Sequence, residues 1–110
     1  DGKLLTILNC HALNFVGNGL WKETMEYWIH QLPKHGPCII AGDFNTWNPM
    51  RTDFLRSMLT DLGYVYAPYE HSVIICFDHI WYRGITVTSC ELHDTVHTSD
   101  HYPLSITFDF

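Results

Sequence analysis

Short apolar runs alternate along the chain with polar segments, and the pattern predicts a mixture of strands and helices. Residues 4–8 form a β-rich run that predicts a first strand. Residues 20–35 predict a helix, because apolar side chains recur in steps of four, three and four at Trp21, Met25, Trp28 and Leu32. Pro33 and Gly36 mark the end of that helix. Residues 37–41 are continuously apolar, which is typical of a strand buried on both faces.

The second half of the chain predicts one more helix and several strands. Apolar positions over residues 54–62 predict a helix that ends at Gly63. Residues 72–83 are β-rich, and residues 85–92 and 104–109 alternate apolar and polar positions as half-exposed strands do. The order β-α-β-α followed by strands indicates an α/β-type or mixed sheet.

Composition and charge narrow the class of protein. With 110 residues the chain has the length of one domain, and its apolar content of 46 % excludes disorder. Twelve acidic residues against six Lys and Arg give a formal net charge of −6. The cations are scattered, which argues against a broad basic face that grips nucleic acid. No apolar run reaches the roughly 18 residues of a membrane-spanning helix, so none is predicted.

The chain has four cysteines, none of them in a CxxC pair: Cys10, Cys38, Cys76 and Cys90. The first three lie in apolar runs, so they are interpreted as small buried side chains rather than as a disulfide framework. Cys90 also opens the pattern Cys-x2-His-x3-His-x3-His, which ends at His101 and has a zinc-like spacing. The β-branched residues in that segment and the following Pro103 disfavour the helix that would align the histidines, so zinc is the lesser alternative.

Polar residues follow the first two apolar runs, interrupt a third at residues 78–79 and precede the last, and they carry the candidate chemistry. In chain order they are Asn9 and His11, Asp43 and Asn45, Asp78 and His79, and Asp100 and His101. Strand ends at one edge of a sheet converge, so these groups are predicted to share one cleft. Carboxylates, imidazoles and amides make a hard, oxygen-rich site that suits Mg²⁺ or Mn²⁺ and a phosphate ester.

A histidine–carboxylate pair is the second part of that chemistry. Asp100 and His101 are neighbours and point in opposite directions in an extended chain, so His101 needs an acid from elsewhere. Asp78 is the candidate. Hydrolysis of a phosphoester needs an activated water, neutralisation of charge and help for the leaving group. Asp43, His101 with a metal, and His11 can divide those tasks.

Four motifs, in a fixed order, resemble those of the endonuclease/exonuclease/phosphatase superfamily, the deoxyribonuclease I-like fold. They are Asn9-Cys10-His11, Gly42-Asp43-Phe44-Asn45, Asp78-His79-Ile80 and Ser99-Asp100-His101-Tyr102-Pro103. The resemblance spans nearly the whole chain and implies an α+β fold. This fold is half of a four-layer αββα sandwich, a mixed β-sheet with two helices on one face. The resemblance also implies a Mg²⁺-dependent or Mn²⁺-dependent hydrolase of phosphodiesters or phosphomonoesters.

The resemblance implies catalytic roles for four residues. His101 would be the catalytic histidine that acts on the water or the phosphate. Asp78 would orient His101 and favour its imidazolium. Asp43 would orient or deprotonate the attacking water, and His11 would be the second histidine found in part of the family.

Three further residues are implied to hold the phosphate and the metal. Asn45 and Asn14 would contact phosphate oxygens, and Asp100 would help to bind the cation. The family's principal metal ligand, the Glu of a Gln-Glu pair, has no counterpart in this sequence. Residues 1–110 are therefore expected to be the C-terminal portion of a longer domain, in agreement with a start at Asp1 without Met.

A half-domain of this kind would leave one face of its sheet uncovered, and an exposed apolar face costs free energy. We therefore expect the protein's own N-terminal half or a homodimer partner to cover that face. We also expect little activity from the isolated 110 residues. The substrate class stays open among nucleic acid, a phospholipid headgroup and a small phosphoester. The alternative is a non-catalytic half-domain that serves as a binding or dimerisation module.

Two more side chains are candidates for substrate contact. Trp47 follows the Asp43 motif and can either stack on a base or sugar or pack on the core. Arg83 lies downstream of Asp78 and can meet a phosphate if its side chain faces the cleft.

Overall fold

The computed structural model describes residues 4–12, 16–46, 48–67, 78–93, 95, 101 and 104–110. The strands in these ranges are β1 (Thr6–His11), β2 (Cys38–Asp43), β3 (Val65–Tyr66), β4 (Asp78–Arg83), β5 (Thr86–Leu92) and β6 (Leu104–Asp109). The helices are α1 (Asn18–His30) and α2 (Pro49–Asp61). The arrangement confirms the α+β class.

The first sheet has the order β1-β2-β4-β3 and is mixed, because β1 and β2 are parallel whereas β4 is antiparallel to both of its neighbours. Both helices pack on one face of this sheet, as predicted. The core on that side contains Trp21 and Met25 of α1, Leu55 and Leu59 of α2, and Ile40 of β2. The apolar stripes of the two helices therefore set which face they cover.

The helix bounds differ from the predicted ones at both helices. α1 ends at His30, and Leu32 is buried in the turn beyond it, where its N–H bonds to the Ile29 carbonyl over 3.1 Å. α2 begins at Pro49 because the Asn48 side chain accepts the Arg51 backbone N–H over 2.9 Å and caps the first turn. An apolar stripe reports the buried face of a helix, whereas local hydrogen bonds decide where the helix begins and ends.

The strands β5 and β6 form a separate two-stranded sheet. This second sheet packs on the other face of the first sheet, with Leu104 and Ile106 in the cluster that contains Ile39 and Ile80. The face expected to lie uncovered is thus partly covered by the chain's own hairpin. Apolar surface remains at the β1 edge, where Ile7 is 66 % exposed.

A register shift interrupts the alternation predicted for residues 85–92. It lies between Val87 and Ser89 in the pairing of β5 with β6. After the shift, Cys90 and Leu92 take the partly buried positions and Ser89 is exposed. Because a bulge adds one residue to one strand, it moves the later side chains to the opposite face.

None of the helices in the described ranges is both long enough and apolar enough to cross a membrane. The described cysteines, Cys10, Cys38 and Cys90, are free thiols, and the first two are buried as predicted. Cys76 lies outside the described residues.

Candidate active site

Three of the predicted site residues stand in one row across the first sheet. β1 and β2 end at the same edge, and β4 begins there. The pairing places His11 beside Asp43, and Asp43 beside Asp78. Neighbours in such a row point to the same face, on strands about 4.8 Å apart. Backbone hydrogen bonding alone therefore sets an imidazole and two carboxylates side by side.

His101, which precedes β6 in the sequence, forms a cluster with Asp43 and Asp78. Its Nδ1–H donates to Asp78 Oδ2 over 2.5 Å, and its Nε2 lies 3.9 Å from Asp43 Oδ2. The three side chains are partly exposed: 36 % of His101, 21 % of Asp43 and 29 % of Asp78. The carboxylate on Nδ1 fixes the orientation and tautomer of the ring and leaves Nε2 facing Asp43. This arrangement suits a general acid or base that water can reach.

The same three residues can hold a cation. One ligand atom from each of Asp43, Asp78 and His101 lies within 4.8 Å of the other two. Hard divalent cations take carboxylate oxygens and retain several waters, so two carboxylates on a partly open surface fit such an ion. The donor set is thus compatible with the predicted metal.

A tight turn over residues 43–45 fixes the Asp43 carboxylate. The Asn45 backbone N–H donates to Asp43 Oδ1 over 2.9 Å, and Asn45 has a φ of +51°. The Asn45 side chain donates through Nδ2 to the Ala12 carbonyl over 2.6 Å. Asp and Asn favour such turns through these local hydrogen bonds. The turn is part of the site, since it holds Oδ1 and leaves Oδ2 toward His101.

Gly42 allows β1 and β2 to approach each other next to the row. Its φ is +145°, and a Cβ on it would lie 1.9 Å from the backbone oxygen of Cys10. A side chain at this position meets main chain rather than a flexible group, so glycine is required.

His79 supports the turn from the helix side of β4. Its Nε2 and the Thr46 hydroxyl share a hydrogen bond of 2.7 Å. The His79 ring is 4 % exposed and packs edge-on against Phe44 and Tyr66. His79 therefore does not join its neighbour Asp78 in the cluster, contrary to the expectation that both would contribute, because successive strand residues face opposite sides.

A cleft of about 230 Å³ adjoins Asp78 between the two sheets. Asn9 of β1, Ala41 and Gly42 of β2, and Leu104 of β6 contribute to its lining. A group bound in the cleft would lie next to Asp78, the last residue of the row. Asn9 shares the face of His11, two positions away in the strand, and is exposed.

Cys10 lies behind the row on the helix side and is 5 % exposed. Burial, reinforced by the charge of Asp43, raises the pKa of the Cys10 thiol from 9.0 to about 12. The folded state therefore holds this proton more tightly than the unfolded chain does. The resulting stabilisation is complete below pH 9 and is lost as the pH rises toward 12.

We expect the free energy of unfolding of the full-length protein to fall between pH 9 and pH 11, within that interval. Burial also raises the pKa of Tyr64, which adds to the fall in the same direction. Urea unfolding of Cys10→Ala isolates the thiol, because this variant should show a shallower decline than wild type. An identical fall of the free energy of unfolding in both proteins would show that the Cys10 thiol does not contribute to it.

The structure brings three of the seven predicted site residues into one cluster, and the other four lie beside it, behind it or outside the described residues. Asp43, Asp78 and His101 form the cluster, and His11 stands exposed next to it in the row. Asn45 is 3 % exposed behind the carboxylate, and its phosphate contact stays a prediction. Three other candidates lie outside the described residues: Asn14, Trp47 and Asp100.

Arg83 lies at the end of β4 opposite Asp78, five residues away and therefore about 17 Å along the strand. Its guanidinium donates to the carbonyls of Pro33, Gly36 and Leu62. The position does not agree with a phosphate contact at the cluster. Arg83 instead ties together the loops at the far end of the sheet.

The zinc-like pattern does not assemble in the described part of the chain. His93 Nε2 shares a hydrogen bond of 2.8 Å with the Ser105 hydroxyl, and Cys90 packs in the core between the sheets. Among the described residues, the group able to hold a metal contains His101 but neither Cys90 nor His93. His97 lies outside the described residues.

Sequence reasoning missed Thr46, Arg51 and the supporting role of His79. Thr46 directly follows the motif of residues 42–45, a position that carries no signal by itself, and His79 belongs to a motif that suggests a place in the cleft rather than behind the turn. Asn48-Pro49 is a recognisable helix start, and applying it would have placed Arg51 in the first turn of α2.

Comparisons with known proteins agree with the geometry. A family model described as "Endonuclease/Exonuclease/phosphatase family" matches residues 12–101, a range that contains the cluster. Members of this family are generally hydrolytic nucleases and phosphatases. The family is typically dependent on a divalent metal.

The chain is also similar to UPF0294 proteins of several bacteria. It is 35 % identical over 116 residues to one of Vibrio vulnificus strain YJ016 and 35 % identical over 115 residues to one of Yersinia pseudotuberculosis. Each alignment covers 98 % of this chain, but 40 % and 44 % of these relatives, so the chain spans less than half of their length. The family match covers most of the chain and includes Asp43, the turn over residues 43–45, Asp78 and His101. The chain belongs to the endonuclease/exonuclease/phosphatase family.

Proposed function

We propose that the protein is a metal-dependent phosphoester hydrolase, a nuclease or a phosphodiesterase/phosphatase, in which water attacks phosphorus in line. One observation carries the proposal: His101 is hydrogen-bonded to Asp78 through Nδ1 and directs Nε2 toward Asp43. The family acts on phosphoester substrates such as nucleic acids, which supports this reaction class. The partial exposure of all three side chains gives water and substrate access.

The residues divide the work as follows. Asp43, held through Oδ1 by the Asn45 N–H, orients the attacking water or accepts its proton. His101 acts through Nε2 on the water or on a phosphoryl oxygen, and Asp78 stabilises its imidazolium. His11, exposed on the neighbouring strand, assists the departure of the leaving group.

A divalent cation, Mg²⁺ or Mn²⁺, fits the oxygen-rich donor set. The carboxylates of Asp43 and Asp78 are candidates to hold it, and Asp100 is a further candidate from the sequence. When bound, the cation would neutralise charge on the phosphoryl group. The principal Glu ligand of the family would come from another part of the whole protein.

We further propose that residues 1–110 form the C-terminal portion of the catalytic domain. The coverage of 40 % and 44 % of two UPF0294 relatives supports a correspondence to part of a longer chain. Apolar exposure at the β1 edge also supports it, since Leu4 is 82 % and Ile7 66 % exposed. An N-terminal portion is the proposed cover for that edge, and a homodimer partner is the alternative.

An activity screen of the full-length protein tests the function. We expect Mg²⁺-dependent hydrolysis of at least one among duplex DNA, bis(p-nitrophenyl) phosphate, p-nitrophenyl phosphate and a choline phospholipid, and loss of that activity in EDTA. The isolated 110 residues should show no measurable turnover. Inactivity of the full-length protein on every substrate would favour the non-catalytic binding module. Full activity in EDTA would contradict the metal dependence.

A further inference from the structure

Arg51, in the first turn of α2, is a fully buried cation close behind the site, with 0 % of its surface exposed. A buried charge is unfavourable unless hydrogen bonds compensate for the lost hydration. The hydrogen bonds of such a residue therefore indicate which parts of the structure it stabilises.

The guanidinium makes hydrogen bonds to two segments at once. Nη1 donates to the Asn45 carbonyl over 3.2 Å, Nη2 donates to the Val16 carbonyl over 2.6 Å, and Nε donates to Asn18 Oδ1 over 3.0 Å. The guanidinium also lies 5.3 Å from the centre of the Trp21 ring. These contacts link the start of α1 to the turn that holds Asp43.

Asn45 is the point where this network reaches the site. Its carbonyl accepts from Arg51, and its own N–H donates to Asp43 Oδ1 over 2.9 Å. Its φ of +51° lies in the left-handed region, which Asn adopts more readily than most residues, and the hydrogen bonds on both sides of Asn45 hold it in this conformation. Arg51 thus binds the carbonyl of Asn45, and the N–H of the same residue binds the Asp43 carboxylate.

We propose that Arg51 is a positioning residue for the Asp43 carboxylate. The guanidinium holds Asn45 in its left-handed conformation, and the Asn45 N–H then fixes Oδ1 while Oδ2 faces His101. A lysine cannot reproduce the effect, because one ammonium group lacks the planar fork that serves three acceptors. The catalytic consequence rests on the proposed function, whereas the link from Arg51 to Asp43 does not.

Hydrogen exchange at the Asn45 amide tests the link without any assay of activity. In the full-length protein this amide should be protected, and Arg51→Lys should lower its protection roughly tenfold or more. The Ile40 amide, in the centre of β2, should keep its protection. Arg56→Lys is the matched control, because Arg56 is exposed on the same helix. Unchanged exchange at Asn45 in Arg51→Lys, or equal losses at Asn45 and Ile40, would overturn the proposal.

A second variant covers the case in which Arg51→Lys does not fold. Asn18→Ala removes Oδ1, which accepts from Arg51 Nε and from Asn48 Nδ2, and leaves the hydrogen bonds from Nη1 and Nη2 in place. We expect this variant to lose part of the protection of the Asn45 amide, because two hydrogen bonds of the guanidinium remain. The protection of the Ile40 amide should be unchanged. An Asn45 amide as protected as in wild type would overturn the proposal.

Kinetics then connect the link to catalysis. A misplaced catalytic group lowers the rate of the chemical step, so Arg51→Lys should lower kcat about 100-fold and change KM little. Arg56→Lys should keep wild-type values. A raised KM with unchanged kcat would overturn the positioning role. If wild-type protein hydrolyses no phosphoester, the proposed function fails, and the exchange measurements still decide the link.

Discussion

His101→Ala is expected to abolish phosphoester hydrolysis by the full-length protein. The imidazole is hydrogen-bonded to Asp78 and directed at Asp43, so alanine removes the group that joins the two carboxylates. General acid–base groups contribute about 10²–10⁴-fold to the rate, and kcat should fall by at least that much. Because the lost interactions arise in the chemical step, KM should change little.

Two further variants separate catalysis from folding. Asp78→Asn keeps the shape of the partner but removes its charge, so we expect a large but smaller fall in kcat. His93→Ala removes a histidine that bonds to Ser105 away from the cluster and should keep the wild-type rate. Circular dichroism and thermal unfolding establish that His101→Ala is folded. Wild-type rates in folded His101→Ala would exclude the proposed mechanism.

Gly42→Ala is expected to produce the largest loss of stability among single methyl additions at the described glycines. The new Cβ would lie 1.9 Å from the Cys10 backbone oxygen, and the φ of +145° is unfavourable for any side chain. The contact can be relieved only by moving main chain where β1 meets β2. We expect a loss of about 4 kcal/mol or more in the free energy of unfolding.

Gly19→Ala provides the matched control for that experiment. Gly19 lies in α1, and nothing is within 4 Å of an added Cβ. Alanine should stabilise the protein by about 0.5–1 kcal/mol, because it loses less entropy in a helix than glycine does. Urea unfolding of both variants measures the contrast. A Gly42→Ala protein within about 1 kcal/mol of wild type would show that the two strands adjust easily.

Much of the fold and the site follows from local patterns. The stripe through Trp21 and Met25 predicts the buried face of α1, because helical spacing and burial are directly linked. The polar residues at the strand ends predict the cluster, since strand direction determines which ends meet. The pairing of His101 with Asp78, inferred because Asp100 points the wrong way, is present as a hydrogen bond.

Other features depend on contacts that local patterns do not encode. Alternation in β6 identifies an apolar face but not its partner, and so the second sheet was not foreseen. The bulge near Ser89 changes the facing of later residues without any change in composition. The burial of Arg51 depends on carbonyls contributed by Val16 and Asn45, which are distant in sequence.

The row formed by His11, Asp43 and Asp78 has a consequence for how this protein can vary. Its spacing comes from the hydrogen-bonded ladder, so the connecting loops can change in length without moving the three groups. A single-residue deletion inside β2, by contrast, would send the Asp43 side chain to the helix side. Related proteins could therefore exchange the loops that meet substrate while they keep one reaction centre, and loop grafting should alter selectivity before it alters chemistry.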